Sequence, residues 1–185
     1  MTDRATNPKS KIQNPKSASW RIPYLLAAFG IYMADQMSKA WAVRTLRLGQ
    51  DKTVISGFLD FAYAENPGVA FGQLQDGGLW GRWALAALAC AAGVAVLTYF
   101  FRTPRGDDRT LGACALLLAG IAGNLTDRVR LGHVVDFILL HAGSSFYWPT
   151  FNVADAAICA GAGLFALDLI LEGRKQKQQP TVSSQ

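Results

Sequence analysis

Two aspartates, Asp136 in the segment VVDF and Asp155 in the segment FNVAD, stand at the edges of strongly apolar stretches. A carboxylate beside the hydrocarbon region of a membrane costs roughly 3 kcal/mol on insertion scales, so both are functional candidates. Two carboxylates a few ångströms apart cannot both ionise, so one pKa rises and the pair shares a proton. One member can then activate water as a general base while the other donates a proton. The alternative is that each aspartate merely caps a helix or a turn.

Two asparagines near these aspartates can complete such a site. Asn152 lies three residues before Asp155, on the same predicted helical face, and can orient a carboxylate or the substrate backbone. Asn66 lies on the other loop that we expect on this side of the membrane, where it can supply a further hydrogen-bond donor.

The segment GNLTDR, residues 123–128, ends an apolar stretch with three polar side chains at helical spacing. Asn124, Asp127 and Arg128 stand at positions i, i+3 and i+4, which places them on one helical face. The planar fork of Arg128 suits a headgroup phosphate or a substrate carbonyl. The alternative is that Asp127 and Arg128 only cap the helix end and pair with each other.

Asp35 and Lys39, in the segment DQMSK, form an i, i+4 pair within the first apolar stretch. Pairing lowers the cost of burying either charge, and the long Lys39 side chain can also reach toward the membrane surface. We interpret both as supporting residues that lock this helix to its neighbours. A structural role is at least as well supported as a catalytic one.

The composition identifies the elements that must position these side chains as membrane helices. The chain has 185 residues, 51% of them hydrophobic, and its apolar residues fall in blocks. Four blocks are long enough, at about 20 residues each, to cross a bilayer core of roughly 30 Å. They cover residues 22–43, 79–101, 110–129 and 151–172.

Basic residues set the expected orientation of these helices. They concentrate in the N-terminal tail, between the second and third blocks, and in the C-terminal tail. The positive-inside rule therefore places both termini in the cytoplasm and the loops 44–78 and 130–150 on the opposite side. We therefore attribute the net charge of +5 to basic residues that orient the helices in the membrane, and we expect no nucleic-acid partner.

The outer loops carry strand patterns. We therefore predict an all-α integral membrane protein whose four transmembrane helices carry a small β platform on the outer face. Alternating β-branched and aromatic residues predict the strands, and small polar residues predict a turn. These elements fall at residues 53–56, 58–64, 133–140 and, for the turn, 142–145. Residues Val69–Gln75 follow Pro67 and Gly68 and predict a short helix on the membrane surface.

Both ends of the chain are polar, and we predict disordered tails that flank a membrane domain of residues 22–172. Residues 1–21 contain the segment NPKS twice, and residues 173–185 are rich in Gln, Lys and Ser. The first apolar run continues through charged residues with no small-residue cleavage site, so it predicts a retained helix. The three cysteines and two histidines lack the spacing of metal ligands.

Five segments of the chain together resemble the lipoprotein signal peptidase family, the bacterial signal peptidase II. In chain order they are DQMSK (35–39), ENPGVAFG (65–72), AGNLTDR (122–128), VVDF (134–137) and FNVAD (151–155). Each would be weak alone, but five in this order on four predicted spans are specific. The resemblance covers about residues 22–172. It implies an aspartic protease of the bacterial inner membrane, with cytoplasmic termini and an active site near the periplasmic face.

The resemblance also implies a substrate and a set of roles. The substrate would be a diacylglyceryl-modified prolipoprotein, cleaved before the lipid-bearing cysteine, with globomycin as inhibitor and no metal or organic cofactor. Asp136 and Asp155 would form the catalytic dyad. The residues implied to bind substrate or support the dyad are Asn66, Gly68, Asn124, Arg128, Asn152, Asp35, Lys39 and Asp127. We further expect a monomer in contact with membrane lipid, with Gly68 to Gln75 as a lid over the substrate's lipid.

Other function classes fit part of the pattern. A proton-coupled carrier or channel would use Asp35, Asp136 and Asp155 as a relay, but the polar residues gather at one membrane face. A protease of the presenilin or prepilin-peptidase type would carry a Gly-x-Gly-Asp signature, which this sequence lacks. A non-catalytic membrane scaffold would tolerate Asp→Asn changes that an aspartic dyad would not.

Overall fold

The structure is a computed structural model that describes residues 18–68 and 78–178. After a 3-10 turn at Ala18–Arg21, the helices are α1 (Ile22–Leu46), α2 (Gly78–Arg102), α3 (Asp108–Arg130) and α4 (Val153–Gln178). The strands are β1 (Lys52–Ile55), β2 (Leu59–Asn66), β3 (Val134–Ala142) and β4 (Phe146–Tyr147). The helices form a bundle and the strands form a small sheet at one end of it.

The central helix is α3, which packs against α1, α2 and α4. Small residues let α4 approach it closely. A Cβ built at Gly120 would clash with the carbonyl oxygen of Ala154, and one at Gly161 would lie 2.9 Å from the carbonyl oxygen of Ala113. Because lipid tails are as apolar as the helices, close packing of this kind is a main source of attraction between membrane helices.

Of the described helices, α2, α3 and α4 are long and apolar enough to cross a membrane. Large apolar side chains on α2, such as Leu88 and Val94, are exposed, as expected for a surface that lipid covers. Helix α1 has 25 residues but carries the charged pair Asp35 and Lys39. The chain is therefore a helical, membrane-type protein with three apolar spans and a small antiparallel sheet.

Helix α4 differs from the prediction at both ends. It begins at Val153, because Asn152 occupies the capping position before the first turn. It continues to Gln178, because Lys, Arg and Gln are good helix formers and the next breaker is Pro180. The predicted disorder of residues 173–185 is therefore wrong as far as Gln178.

The N-terminal tail also ends earlier than predicted. The Arg21 guanidinium donates hydrogen bonds to the carbonyl oxygens of Phe101 (2.9 Å) and Thr103 (3.0 Å), where α2 ends. Helix ends leave such carbonyls without a partner, so this contact stabilises the junction. Residues 1–17 and the predicted surface helix at Val69–Gln75 lie outside the described residues, as does the proposed lid beyond Gly68.

The strands pair in the order β1-β2-β3-β4, all antiparallel, which confirms the predicted strands and adds the short β4. A register shift within β2, between Phe61 and Ala64, places Ala64 opposite Asp136 on β3. The sheet rests on the end of α1 through an aromatic cluster. Trp41 on α1 packs against Phe61 and Phe137, with ring centroids 5.3 and 6.2 Å away.

Candidate active site

Asp136 lies on β3 and is only 1% exposed. Its Oδ1 accepts a hydrogen bond from Asn152 Nδ2 (2.7 Å), and its Oδ2 accepts one from Asn66 Nδ2 (3.0 Å). Asn66 is the last residue of β2, the strand that pairs with β3, so the sheet itself brings the two side chains together. Both oxygens of the buried carboxylate face amide donors, as the burial of a polar group requires.

Gly68 orients the Asn66 amide. The Gly68 backbone N–H donates to Asn66 Oδ1 (2.9 Å) in an Asx-type turn, which leaves Nδ2 facing Asp136. Gly68 has φ of +91°, a conformation that side chains other than glycine disfavour. A substitution here would therefore disturb the turn that aims Asn66 at the carboxylate.

Asp155 lies in the first turn of α4 and forms a capping box with Asn152. The Asp155 N–H donates to Asn152 Oδ1 (2.9 Å), and the Asn152 N–H donates to Asp155 Oδ2 (3.3 Å). The other oxygen, Oδ1, accepts a hydrogen bond from Asn124 Nδ2 (2.7 Å) on α3. The capping interpretation therefore holds for one oxygen of Asp155. Asn152 precedes the helix and does not share its face as predicted.

Asn152 and Asn124 join the two aspartates into one hydrogen-bonded group. Besides its bond to Asp136, Asn152 Nδ2 lies 3.2 Å from Asn124 Oδ1. Asn124 in turn donates to Asp155, and Asn152 contacts both aspartates directly. The structure thus brings together two aspartates that are carried by different elements.

The environment shifts the proton affinity of Asp136. Burial raises the pKa of Asp136 to about 6, against the hydrogen bond from Asn66. The negative charge of Asp155 adds to the rise, whereas the Asn152 hydrogen bond and the charge of Lys39 oppose it. A carboxyl group with such a pKa can both hold and release a proton near neutral pH, which suits general acid and base chemistry.

Lys39 is 3% exposed, and its ammonium group has three close partners. Its Nζ lies 2.9 Å from Asp35 Oδ2, 2.9 Å from Asp127 Oδ2 and 3.0 Å from Asn124 Oδ1. The predicted pair of Asp35 and Lys39 is present. The alternative that Asp127 pairs with Arg128 is wrong, because Asp127 turns to α1 and pairs with Lys39.

The two carboxylates that bind Lys39 also hold the backbone of the site. Asp35 Oδ1 accepts a hydrogen bond from the Ala154 N–H (2.8 Å), and Asp127 Oδ2 accepts one from the Val135 N–H (3.1 Å). Each of these amides belongs to the residue immediately before one of the two central aspartates. The buried ion cluster therefore fixes both chain segments that carry the dyad candidates.

Arg128 is half-buried in the last turn of α3, beside Asn124. One terminal nitrogen lies 3.4 Å from the Asn124 carbonyl oxygen. Its Nε is buried and has no hydrogen-bond partner among the described residues. A guanidinium with an unused N–H next to two carboxylates and several amides is suited to bind a carbonyl oxygen of a peptide.

Gln36 is a contributor that sequence reasoning missed. Its Nε2 lies 3.1 Å from Asp35 Oδ2, 3.3 Å from the Gly123 carbonyl oxygen and 3.3 Å from Asp127 Oδ1. It thus links the two carboxylates of the Lys39 cluster from the side. The sequence indicates a role for Gln36 only through its position inside the segment DQMSK.

Arg82 on α2 is the second missed contributor. It donates to the carbonyl oxygens of Arg128 (2.7 Å) and Val129, where α3 ends. The Arg128 carbonyl also accepts the Gly132 N–H (3.2 Å), so Arg82 adds a charged donor at the negative end of the α3 dipole. The sequence signal is a lone cation in an otherwise apolar span, which is expensive unless it has a defined partner.

The described side chains of the site are carboxylates, amides and guanidinium groups, which suit proton transfer and hydrogen bonding to a peptide. Within residues 18–68 and 78–178, no group of three or more His, Cys, Asp or Glu side chains is arranged to hold a metal ion. The cysteines Cys90, Cys114 and Cys159 are free thiols.

Comparison with known proteins assigns a family. The family model described as Signal peptidase (SPase) II matches residues 27–171. The chain belongs to the signal peptidase II family. The Lipoprotein signal peptidase of Ectopseudomonas mendocina (strain ymp) is 40% identical over 165 residues, which are 89% of this chain and 98% of that protein. The Lipoprotein signal peptidase of Cellvibrio japonicus (strain Ueda107) is 40% identical over 159 residues, 85% and 92% of the two chains.

Solved structures agree with this assignment. One, described as a bacterial membrane enzyme, is 29% identical with a TM-score of 0.72 and covers 86% of this chain and 94% of its own. Another with the same description is 30% identical with a TM-score of 0.69 and covers 80% and 92%. The family indicated by the five sequence segments is confirmed, and it is a family of peptidases.

Proposed function

We propose that this signal peptidase II is an aspartic endopeptidase that cleaves diacylglyceryl-modified prolipoproteins before the lipid-bearing cysteine and so removes the signal peptide. The family supports the substrate class, since the similar proteins are lipoprotein signal peptidases. The observation that carries the mechanism is the position of Asn152. Its side chain donates to Asp136 (2.7 Å), and its backbone and side chain both bind Asp155.

In the first step, Asp136 acts as the acid and Asp155 as the base. The raised pKa of Asp136, caused mainly by burial, favours the shared proton on that residue. Asp155 removes a proton from water as the water oxygen bonds to the scissile carbonyl carbon. Asp136 gives its proton to the carbonyl oxygen. The product is a neutral gem-diol, with Asp155 protonated and Asp136 ionised.

In the second step, the bond between the gem-diol carbon and the amide nitrogen breaks. Asp155 transfers its proton to the leaving nitrogen, and a gem-diol hydroxyl returns a proton to Asp136. The signal peptide leaves with a new carboxyl group, and the cysteine of the lipoprotein gains a free amino group. The dyad returns to its starting protonation, so the cycle requires water and no cofactor.

The surrounding residues bind substrate or support the dyad. Arg128 offers its unused N–H to a substrate carbonyl, and Gly68 keeps Asn66 directed at Asp136. Asn124 and Asn152 hold the two carboxylates in register. The buried cluster that fixes the backbone beside the dyad consists of Asp35, Lys39 and Asp127.

We place the chain in the bacterial inner membrane as a monomer. Helix α1 would be the fourth span, with cytoplasmic termini and the sheet on the periplasmic face, which the distribution of basic residues supports. Residues 22–172 would form the peptidase domain between the tails 1–21 and 173–185. Because the acyl chains and signal helix of the substrate lie in the same membrane, the site meets the scissile bond without extracting it. Globomycin would occupy this site, with Gly68 to Gln75 as a lid.

The test is cleavage of a diacylglyceryl-modified prolipoprotein by the purified full chain in detergent. We expect wild type to cleave and globomycin to inhibit it, whereas Asp136→Asn and Asp155→Asn should fold and fail to cleave. Asp168→Asn is the matched control, because Asp168 lies on α4 well beyond the dyad and binds Thr110 and Arg109. Cleavage by both dyad variants would remove the aspartic mechanism. Failure of wild type on lipidated substrate would remove the proposed activity.

A further inference from the structure

Two separate cavities lie one after the other along the seam between α1 and α3, one apolar and one polar. We call them the apolar arm and the polar arm of one groove. The apolar arm is a cavity of about 410 Å³ lined by residues such as Phe29, Leu118 and Ala119. The polar arm is a cavity of about 220 Å³, and its lining includes Arg44 and Arg130. Lys39, Asp127, Gln36 and Val135 line the floor of the polar arm and support the dyad, whereas Arg44, Arg130 and the apolar arm take no part in the proposed peptide cleavage.

The two arms lie end to end along the same helical stripes. On α1 the stripe is Phe29, Tyr32, Gln36, Ala40 and Arg44, and on α3 it is Ala119, Ala122, Thr126 and Arg130. Successive members are three or four residues apart, which keeps them on one face. From Ala119 to Arg130 the helix rises roughly 16 Å, at 1.5 Å per residue. This is close to half of a bilayer core of roughly 30 Å, the depth of one leaflet.

The polar arm carries positive charge that the described part of the chain leaves unpaired. Arg44 and Arg130 are both exposed, and within residues 18–68 and 78–178 neither has an ion-pair or hydrogen-bond partner. The carboxylate at the floor, Asp127, is already bound to Lys39 at 2.9 Å. Two exposed guanidinium groups, unpaired within the described ranges, lie above a cluster whose Asp127 carboxylate already binds Lys39. They form a site for a phosphate, which guanidinium binds in bidentate geometry.

We propose that this groove binds one phospholipid, with its phosphate between Arg44 and Arg130 and an acyl chain along the apolar arm toward Ala119. The polar arm matches the charged headgroup, and the apolar arm that follows it matches an acyl chain. The length of the stripe matches the depth of one leaflet. The lipid would act as a clamp between α1 and α3 close to Asp127, and its binding does not depend on the peptidase mechanism.

The test measures lipid binding to the purified full chain by native mass spectrometry, with phosphatidylglycerol as the probe. We expect the variant Arg44→Gln/Arg130→Gln to bind it roughly tenfold more weakly than wild type, because both phosphate contacts are lost. The matched control is Arg102→Gln/Arg105→Gln, which removes two exposed arginines at the other end of the bundle and should bind as wild type does. Ala40→Phe, which narrows the polar arm without changing charge, should also weaken binding.

Two further probes separate the sources of affinity. Diacylglycerol with the same acyl chains should bind wild type and the Arg44/Arg130 variant equally, since it lacks the phosphate. Inorganic phosphate should fail to displace the phospholipid at equal concentration. Equal phosphatidylglycerol affinity in wild type and the Arg44/Arg130 variant would overturn the proposal. Equal weakening in the control pair, or displacement by inorganic phosphate, would likewise reduce the site to unspecific charge attraction and overturn it.

Discussion

The ammonium group of Lys39 lies 3.0 Å from Oδ1 of Asn124, and this contact sets the direction in which the Asn124 amide faces. An ammonium group only donates hydrogen bonds, so Asn124 must present its oxygen to Lys39. Its NH₂ group is then left for Asp155, whose Oδ1 lies 2.7 Å away. Lys39 therefore acts on Asp155 through Asn124 as a positioning residue, in addition to its ion pairs with Asp35 and Asp127.

Replacing Lys39 with Met should destabilise the protein and slow cleavage. The change leaves Asp35 and Asp127 buried without their cation, and breaking a buried ion pair from one side costs about 3–5 kcal/mol. We expect a marked fall in the thermal unfolding temperature in detergent and loss of prolipoprotein cleavage. Lys52→Met, at an exposed position on β1 where the ammonium lies 6.0 Å from the Trp41 ring centroid, should leave cleavage unchanged and lower the unfolding temperature far less.

The double variant Lys39→Met/Asp127→Asn tests whether Lys39→Met destabilises the protein through uncompensated buried charge or through the changed side-chain volume. It removes one of the two uncompensated carboxylates, while the Asn oxygen can still accept the Val135 N–H. Because these residues share one network, their effects should not add, and the double variant should unfold at a higher temperature than Lys39→Met alone. If the second change lowered the unfolding temperature further, charge repulsion would not be the cause.

Asn152 performs two tasks that different substitutions can separate. Ser and Asn are both good capping residues, whereas Ala is a poor one that costs about 1 kcal/mol. Ser lacks the amide nitrogen that donates to Asp136. We expect Asn152→Ser to be about 1 kcal/mol more stable than Asn152→Ala. Both variants should cleave at least roughly tenfold more slowly than wild type, because each loses the buried hydrogen bond to Asp136. A Ser variant with wild-type cleavage would show that the donor to Asp136 is dispensable.

Elements and pairs within one helix could be predicted from the sequence. The apolar blocks give the helices to within a few residues, except at the end of α4, and i, i+4 spacing gives the pair of Asp35 and Lys39. The alternative that Asp127 pairs with its sequence neighbour Arg128 is wrong. The true partner, Lys39, lies on α1, and only the packing of α1 against α3 brings it within 2.9 Å.

The missed residues share one physical property: each acts on a backbone group of a different element. Gln36 contacts the Gly123 carbonyl oxygen, and Arg82 contacts the carbonyl oxygen of Arg128. Every residue carries the same backbone groups, so no sequence pattern identifies the partner of such a side chain. The dyad candidates were visible because charged residues beside apolar stretches are costly, whatever their partners.

Asp136 should couple stability to pH. Burial is the main cause that raises its pKa from 3.8 to about 6, so between these values the folded state holds a proton that the unfolded chain releases. The free energy of unfolding therefore falls as pH rises from about 4 to 6, by about 3 kcal/mol for this group, and then stays level. Asp136→Asn removes this pH-dependent contribution to the free energy of unfolding.

The measurement compares thermal unfolding of wild type and Asp136→Asn at several pH values between 4 and 7. Carboxylates that do not interact with Asp136 cancel in this comparison, so the difference reports Asp136 and its electrostatic coupling to Asp155. We expect the variant to gain stability relative to wild type as pH rises, with most of the gain between about pH 4 and 6. Parallel curves would mean that Asp136 does not hold a proton in the folded protein in this range.

Gly120 and Gly112 offer a matched pair on α3. A Cβ at Gly120 would clash with the Ala154 carbonyl oxygen and lie 2.6 Å from Ile158 Cγ1. Because a backbone atom cannot turn aside, Gly120→Ala must push α3 and α4 apart, at a cost of about 1–3 kcal/mol. Ala154 adjoins Asp155, so cleavage should slow as well.

Gly112→Ala meets nothing within 4 Å and should raise stability by about 0.5–1 kcal/mol, because Ala suits a helix interior better than Gly. Thermal unfolding and cleavage of both variants in detergent distinguish the two positions. Opposite shifts in unfolding temperature would support tight contact of α3 and α4 beside Asp155. If Gly120→Ala were as harmless as Gly112→Ala, the approach of these helices would not be what holds Asp155 against Asn124.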